Sequence, residues 1–228
     1  MSQEKWAEVD RYVTEMLVHP DPSLDAALRS SAKEGLPPIN VSPPQGKFLM
    51  LIARMQRARR ILEVGTLGGY STIWLARGLA PRGKLTTLEL DPHHVKVAAA
   101  NIRRAGLSRV VEIRQGPALK TLAKIQAEKK GPFDLFFIDA DKPNNPEYFA
   151  WAVKLSRPGS VILVDNVVRE GEVVDAKSRD LNVMGVRRLN EMMAAEPRVM
   201  ATEIQTVGSK GYDGFAMAIV LPPAKGRK

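Results

Sequence analysis

Ile61-Leu62-Glu63-Val64-Gly65-Thr66-Leu67-Gly68-Gly69-Tyr70-Ser71 is the stretch that decides how this chain folds. Ile61 to Val64 suit a buried strand, and the glycines that follow allow a tight turn into a helix near 71–80. A strand, a glycine turn and a helix make the first half of a βαβ unit. Working outward, strand-like runs recur at 85–90, 110–113, 135–138 and 161–164, separated by helix candidates near 92–105, 117–128 and 145–155. Gly106 is a helix stop, and Asn145 before Pro146 reads as a cap. Five such units predict an α/β fold with a doubly wound, mostly parallel sheet and right-handed crossovers. After a helix around 180–195, the runs 201–207 and 215–221 flank the turn-rich segment 208–214, so a C-terminal antiparallel hairpin should close one edge.

Upstream of this region, Ser42 caps a helix begun by Pro43 and Pro44, with Phe48, Leu49, Leu51, Ile52 and Met55 at helical intervals. The proline-rich passage 36–44 acts as a hinge between that helix and two earlier helical segments, 3–17 and 22–34, the second capped by Asp21 or Ser23. With 228 residues the chain suits one domain. Residues 1–42 would form a helical cap, and 43–228 the ligand-binding core.

Composition narrows the chemistry. Without cysteine there is no disulfide framework, zinc-thiolate site or cysteine nucleophile, and three scattered histidines build no histidine-rich metal site. Any metal must be held mainly by oxygen. The N-terminus carries no basic-then-apolar leader and no apolar run approaches the roughly 20 residues that span a bilayer, so a cytoplasmic enzyme without membrane partners is expected. The net charge of +9 raises a nucleic-acid reading. The cations are dispersed, however: Arg54, Arg57, Arg59 and Arg60 precede the first strand, Arg103, Arg104 and Arg109 flank a helix end, and Lys225, Arg227 and Lys228 form a tail. A solvated basic surface is favoured over a groove.

In doubly wound sheets ligands bind outside the carboxyl ends of the strands. The turn at 65–69 lacks the G-x-G-x-x-G spacing of a dinucleotide cradle, because Leu67 replaces the second glycine. The second strand ends Thr86-Thr87-Leu88-Glu89-Leu90-Asp91, which offers Glu89 to both hydroxyls of an adenosine ribose while Asp91 caps the helix from Pro92. Two later strands also end in acids, Phe137-Ile138-Asp139-Ala140-Asp141-Lys142 and Val164-Asp165-Asn166. At one rim, Asp139, Asp165 and Asn166 repel unless a cation lies among them, and oxygen donors suit Mg²⁺, with Ca²⁺ or Mn²⁺ as alternatives. The competing reading makes each Asp a simple cap.

Taken together, 62–71, Gln115-Gly116-Pro117-Ala118, 137–142 and 164–166 resemble the cation-dependent O-methyltransferases, the family of catechol and caffeoyl-CoA O-methyltransferases. The resemblance runs from about Ile39 to the last strand. It implies a Rossmann-like class I methyltransferase fold, S-adenosylmethionine as cofactor, a hydroxylated aromatic small molecule as substrate and a homodimer. It further implies that Glu63, Gly65, Tyr70 and Ser71 line the methionine end of the cofactor, with Glu89 on the ribose, Ala118 by the adenine and Val41 touching from the hinge. Asp139, Asp165 and Asn166 match the metal ligands, Asp141 a position near the cofactor amine, and Lys142 the catalytic base.

The chemistry agrees with that assignment. A phenol ionises near pH ~10, and a divalent cation bound to both oxygens of a vicinal diol would stabilise the phenolate. Lys142, neutral beside a metal, would accept the proton, its alternative role being a salt bridge to Asp139 or Asp141. The oxygen then attacks the sulfonium methyl in line. Two other readings compete. One is a tRNA hydroxyuridine methyltransferase of the same family, with Arg169, Lys177, Arg179, Arg187 and Arg188 facing the larger substrate or a CoA phosphate. The other is a non-catalytic or nicotinamide-binding Rossmann protein. His19, His93 and His94 read as surface residues away from the rim, and Tyr148 and Tyr212 as candidate borders of the acceptor pocket.

Overall fold

The computed structural model describes residues 2–223; the basic tail at Lys225, Arg227 and Lys228 lies outside them. Three helices come first, α1 (Gln3–Leu17), α2 (Pro22–Lys33) and α3 (Pro43–Met55). Strands and helices then alternate: β1 (Arg60–Val64), α4 (Tyr70–Gly78), β2 (Lys84–Glu89), α5 (Pro92–Arg104), β3 (Val111–Gln115), α6 (Ala118–Ala127), β4 (Phe133–Ile138), α7 (Asn145–Lys154) and β5 (Ser156–Asp165). α8 (Leu181–Ala195), β6 (Val199–Gly208) and β7 (Gly211–Val220) complete the order. Among the described residues no helix is long and apolar enough to cross a membrane.

The strands form one sheet in the order β3-β2-β1-β4-β5-β7-β6. β1 to β5 run parallel, and β7 enters antiparallel between β5 and β6. The chain winds one way from β1 to β3 and the other way from β4, so β1 and β4 flank the switch point where a crevice opens at the strand ends. Buried on both faces, the central strands send alternate side chains to two cores. Leu62, Val64, Phe136, Ile138, Ile162 and Val164 pack under α6, α7 and α8, while Ile61, Leu135, Phe137 and Leu163 pack under α3, α4 and α5.

At the opposite rim, Asp134 ties three strands together. Its Oδ2 accepts from the backbone N–H groups of Arg59 (2.7 Å) and Arg60 (2.9 Å), and its Oδ1 from Arg157 Nη2 (2.6 Å). Burial alone would raise its pKa, but these donors outweigh burial and hold it below the usual carboxylate range.

Two local expectations change. Asn145 is not the cap of α7: it is the first helical residue, fully buried, and Asn144 precedes it without a side-chain cap bond. The hairpin is also tighter than its glycines suggest, since Gly208 pairs with Gly211 and only Ser209 and Lys210 turn. Gly214 sits within β7 because a Cβ there would lie 2.6 Å from the carbonyl oxygen of Ile204 and 2.6 Å from Val168 Cγ2. Its glycine serves close packing, where the sequence reads as a turn.

Candidate active site

The β1 loop is built by what Glu89 accepts. One carboxylate oxygen takes the N–H of Thr66 (3.1 Å) and of Leu67 (2.8 Å), and the other takes that of Asp91 (3.0 Å). Gly65 has φ +98°, and a Cβ at that position would stand 2.0 Å from the backbone oxygen of Asp139. Only glycine lets the loops after β1 and β4 approach this closely. Asp91 caps α5 through the N–H groups of His93 (2.7 Å) and His94 (3.3 Å), and that turn swings His94 back to 3.5 Å from Glu89. His94 therefore lines the cleft, contrary to its reading as a residue away from the rim. His93 meets the carbonyl of Glu34 at 2.8 Å.

Three adjoining cavities follow the strand ends. The largest, about 690 Å³, has Gly65, Tyr70, Ser71 and Glu89 on one side and Asp139, Asp141, Lys142 and Asn166 on the other, with Val41 from the hinge. A second, about 450 Å³, shares Gly65, Glu89 and Asp141 with the first and adds Ala118 and Tyr148. The third, about 520 Å³, brings Asp165 together with Asp139 and Asn166, and is bordered by Gln45, Arg169 and Tyr212. Tyr148 thus borders the Ala118 end, donating to Asp141 at 2.6 Å, while Tyr212 borders the third cavity.

Glu63 does not line any of them. It is fully buried beneath the wall, where its oxygens accept from Ser71 Oγ (2.7 Å) and Thr72 Oγ1 (2.5 Å). Burial pushes its carboxyl up to about 7 against those two donors. Glu63 acts on the cleft through Ser71, as a positioning residue.

The acid rim is closely held. Lys142 is buried, and its Nζ donates to Asp139 Oδ1 at 3.0 Å, which places Lys142 on Asp139 and not on Asp141. Asp165 is buried too; Oδ2 accepts from Gln45 Nε2 at 2.7 Å and Oδ1 from the N–H of Asn166 at 2.9 Å. Burial and the nearby charge of Asp139 push Asp165 up to about 7. Among the described residues no three His, Cys, Asp or Glu side chains form a metal-sized group; the set is two carboxylates and one amide. Gln45 is the member that sequence reasoning missed, since it lies on α3, remote in sequence from the acid it orients. Of the basic residues after β5, Arg187 and Arg188 are engaged in structure, donating to the carbonyls of Val173 (2.6 Å) and Pro143 (2.9 Å).

A family model described as O-methyltransferase matches residues 15–217. The chain belongs to the O-methyltransferase family. This methyltransferase is 52% identical to the catechol O-methyltransferase of Niastella koreensis over 220 residues, covering 96% of the chain and 100% of that protein. It is 53% identical to the catechol O-methyltransferase of Mycobacterium tuberculosis over 213 residues, 93% of the chain and 95% of that protein. Among solved structures, an O-methyltransferase from Bacillus cereus in complex with SAH superposes with a TM-score of 0.95 at 58% identity, covering 96% of this chain and 100% of that one. One from Streptomyces achromogenes in complex with SAM gives 0.94 at 50% identity, covering 97% and 100%. The enzyme is an S-adenosylmethionine-dependent O-methyltransferase with a Rossmann-like fold.

Proposed function

We propose that this enzyme methylates one hydroxyl of a vicinal-dihydroxy, catechol-like small molecule with the help of a divalent cation. The observation that carries the reading is the buried Asp165 facing Asp139 and Asn166 in a cavity that adjoins the cofactor cleft. Two carboxylates, an amide oxygen and open space fit a hard cation, Mg²⁺ first and Ca²⁺ or Mn²⁺ as alternatives. Gln45 fits as the outer partner that fixes Asp165. Two relatives named catechol O-methyltransferases support the same substrate class.

Asp139, Asp165 and Asn166 would hold the cation. When bound, it would supply Lewis-acid stabilisation of the acceptor phenolate. The protein's own groups do the rest. Tyr70 and Ser71 border the methionine end of the cofactor, with Ser71 fixed by Glu63. Glu89 accepts from the ribose, Ala118 flanks the adenine, and Asp141 lies within reach of the cofactor amine. Val41 covers the junction with the acceptor cavity. Gly65 lets the cofactor lie against the loop, and Asp139 serves both cavities. Lys142 Nζ takes the proton from the acceptor hydroxyl, and its bond to Asp139 keeps it aimed at the rim. Catalysis is then mainly alignment of oxygen, methyl and sulfur in a site screened from water.

The enzyme is further proposed to work as one domain, residues 1–228, with 1–42 as a helical cap on the cofactor-binding core 43–228, in the cytoplasm and as a homodimer. The dimer reading rests on α1, which has no buried residue and exposes Val9, Tyr12, Met16 and Leu17. Methyl transfer from labelled S-adenosylmethionine to a catechol panel and to hydroxyuridine-containing tRNA, with EDTA and Mg²⁺ restoration, tests the reaction. Metal-dependent labelling of catechols that vanishes in Asp165→Ala is expected; labelling of tRNA alone would overturn the small-molecule reading.

A further inference from the structure

The two hydroxyls of the acceptor account for only part of the 520 Å³ cavity. Arg169 borders both that cavity and the cofactor cleft. Its backbone is fixed: Asp213 Oδ1 accepts from the N–H groups of Val168 (2.9 Å), Arg169 (3.0 Å) and Gly214 (2.9 Å). Its side chain, by contrast, is unspent. The guanidinium makes no hydrogen bond to any described residue, its Nε is buried without a partner, and its nearest acid, Asp213 Oδ2, stands 3.6 Å from Nη1. Five N–H donors in a rigid fork, one-third exposed at a cavity wall, suit a planar oxyanion in two-point contact.

Other charges around the cavity do not cancel this one. Asp180 is committed to the N-terminus of α8. Glu170 and Glu172 are exposed and form no ion pair with Arg169 among the described residues. Lys210 reaches across to the carbonyl of Pro38 at 2.8 Å and adds a second positive charge at the rim.

We infer that Arg169 sets acceptor specificity by binding a carboxylate on the catechol, so that the preferred substrates are dihydroxyaromatic acids and not neutral or amine-bearing catechols. The inference rests on the catechol reading above. A neutral acceptor leaves the fork unpaired, and an amine is repelled by it.

Calorimetry on the enzyme loaded with S-adenosylhomocysteine and Mg²⁺ tests the idea, with 3,4-dihydroxybenzoate and 3,4-dihydroxybenzamide as probes of nearly equal shape. The wild type should bind the acid at least about tenfold more tightly, the scale of a charge-assisted hydrogen-bonded pair. Arg169→Gln should lower that preference to about twofold or less, and Arg169→Lys should keep part of it. Equal binding of the two probes by the wild type, or the full preference surviving in Arg169→Gln, overturns the inference. A variant whose only change is weaker cofactor binding does the same. Labelled methyl transfer in parallel separates the two readings: charge-dependent binding without transfer upholds Arg169 and sinks the catechol reaction, whereas transfer without a charge preference does the reverse.

Discussion

Glu63→Gln should change how stability depends on pH, because the carboxyl of Glu63 is fully buried and is pushed from an ordinary value near 4.5 up to about 7. The unfolded chain loses this proton first. The folded state must therefore give it up at rising cost as pH climbs from 4.5 to 7, and the penalty is constant above that window. A shift of roughly 2.5 units corresponds to about 3 kcal/mol at 1.36 kcal/mol per unit. Glutamine carries no such penalty, and the hydroxyls of Ser71 and Thr72 can reorient to serve an amide. In urea unfolding of the metal-free enzyme, stability of Glu63→Gln minus that of wild type should thus rise by about 3 kcal/mol from pH 4.5 to pH 8. Asp165 and Asp139 titrate in both proteins, so their contribution largely drops out of the difference. A difference that stays flat within about 0.5 kcal/mol would refute the buried, proton-holding Glu63 described here.

Asp134→Ala strands two backbone donors at the start of β1 and should cost about 3 kcal/mol in urea unfolding at neutral pH. Because the pKa of Asp134 is lowered on folding, its share of stability holds above the ordinary carboxylate value near 3.8 and fades below it, so wild type and variant should converge in acid. Gly65→Ala drives a Cβ to 2.0 Å from the Asp139 oxygen at φ +98°, and calorimetry should find cofactor affinity reduced at least about tenfold. Gln45→Leu removes the donor to Asp165, and the Mg²⁺ needed for half-maximal transfer should rise roughly 10- to 100-fold, with activity returning at high metal.

Much of the fold was readable because strand and helix periods alternate cleanly and glycines mark the turns. The rim acids were readable for a related reason: a parallel sheet brings the ends of β1, β2, β4 and β5 to one edge whatever the intervening sequence. Depth was harder to read. Glu63 lies within β1 at a position that sequence cannot assign to surface or interior, and only packing of α4 shows that Ser71 covers it. His94 was misplaced because the Asp91 cap reverses the chain within five residues of Glu89. Gln45 carries no local signal, since its partner lies on another strand. In the segment 208–214, glycines demanded by close packing imitate glycines demanded by turning.

The clamp formed by Asp213 also bears on the order in which the cleft is finished. Every residue assigned to the cofactor lies at or before position 142, whereas the acceptor wall at Val168 and Arg169 is pinned by a side chain from β7, the last strand made. During synthesis the nucleotide end can take shape while the acceptor end is still open. A chain halted before residue 213 would keep the parallel half of the sheet and lose the clamp, giving a protein equipped to hold its methyl donor with no fixed wall against which to place the recipient.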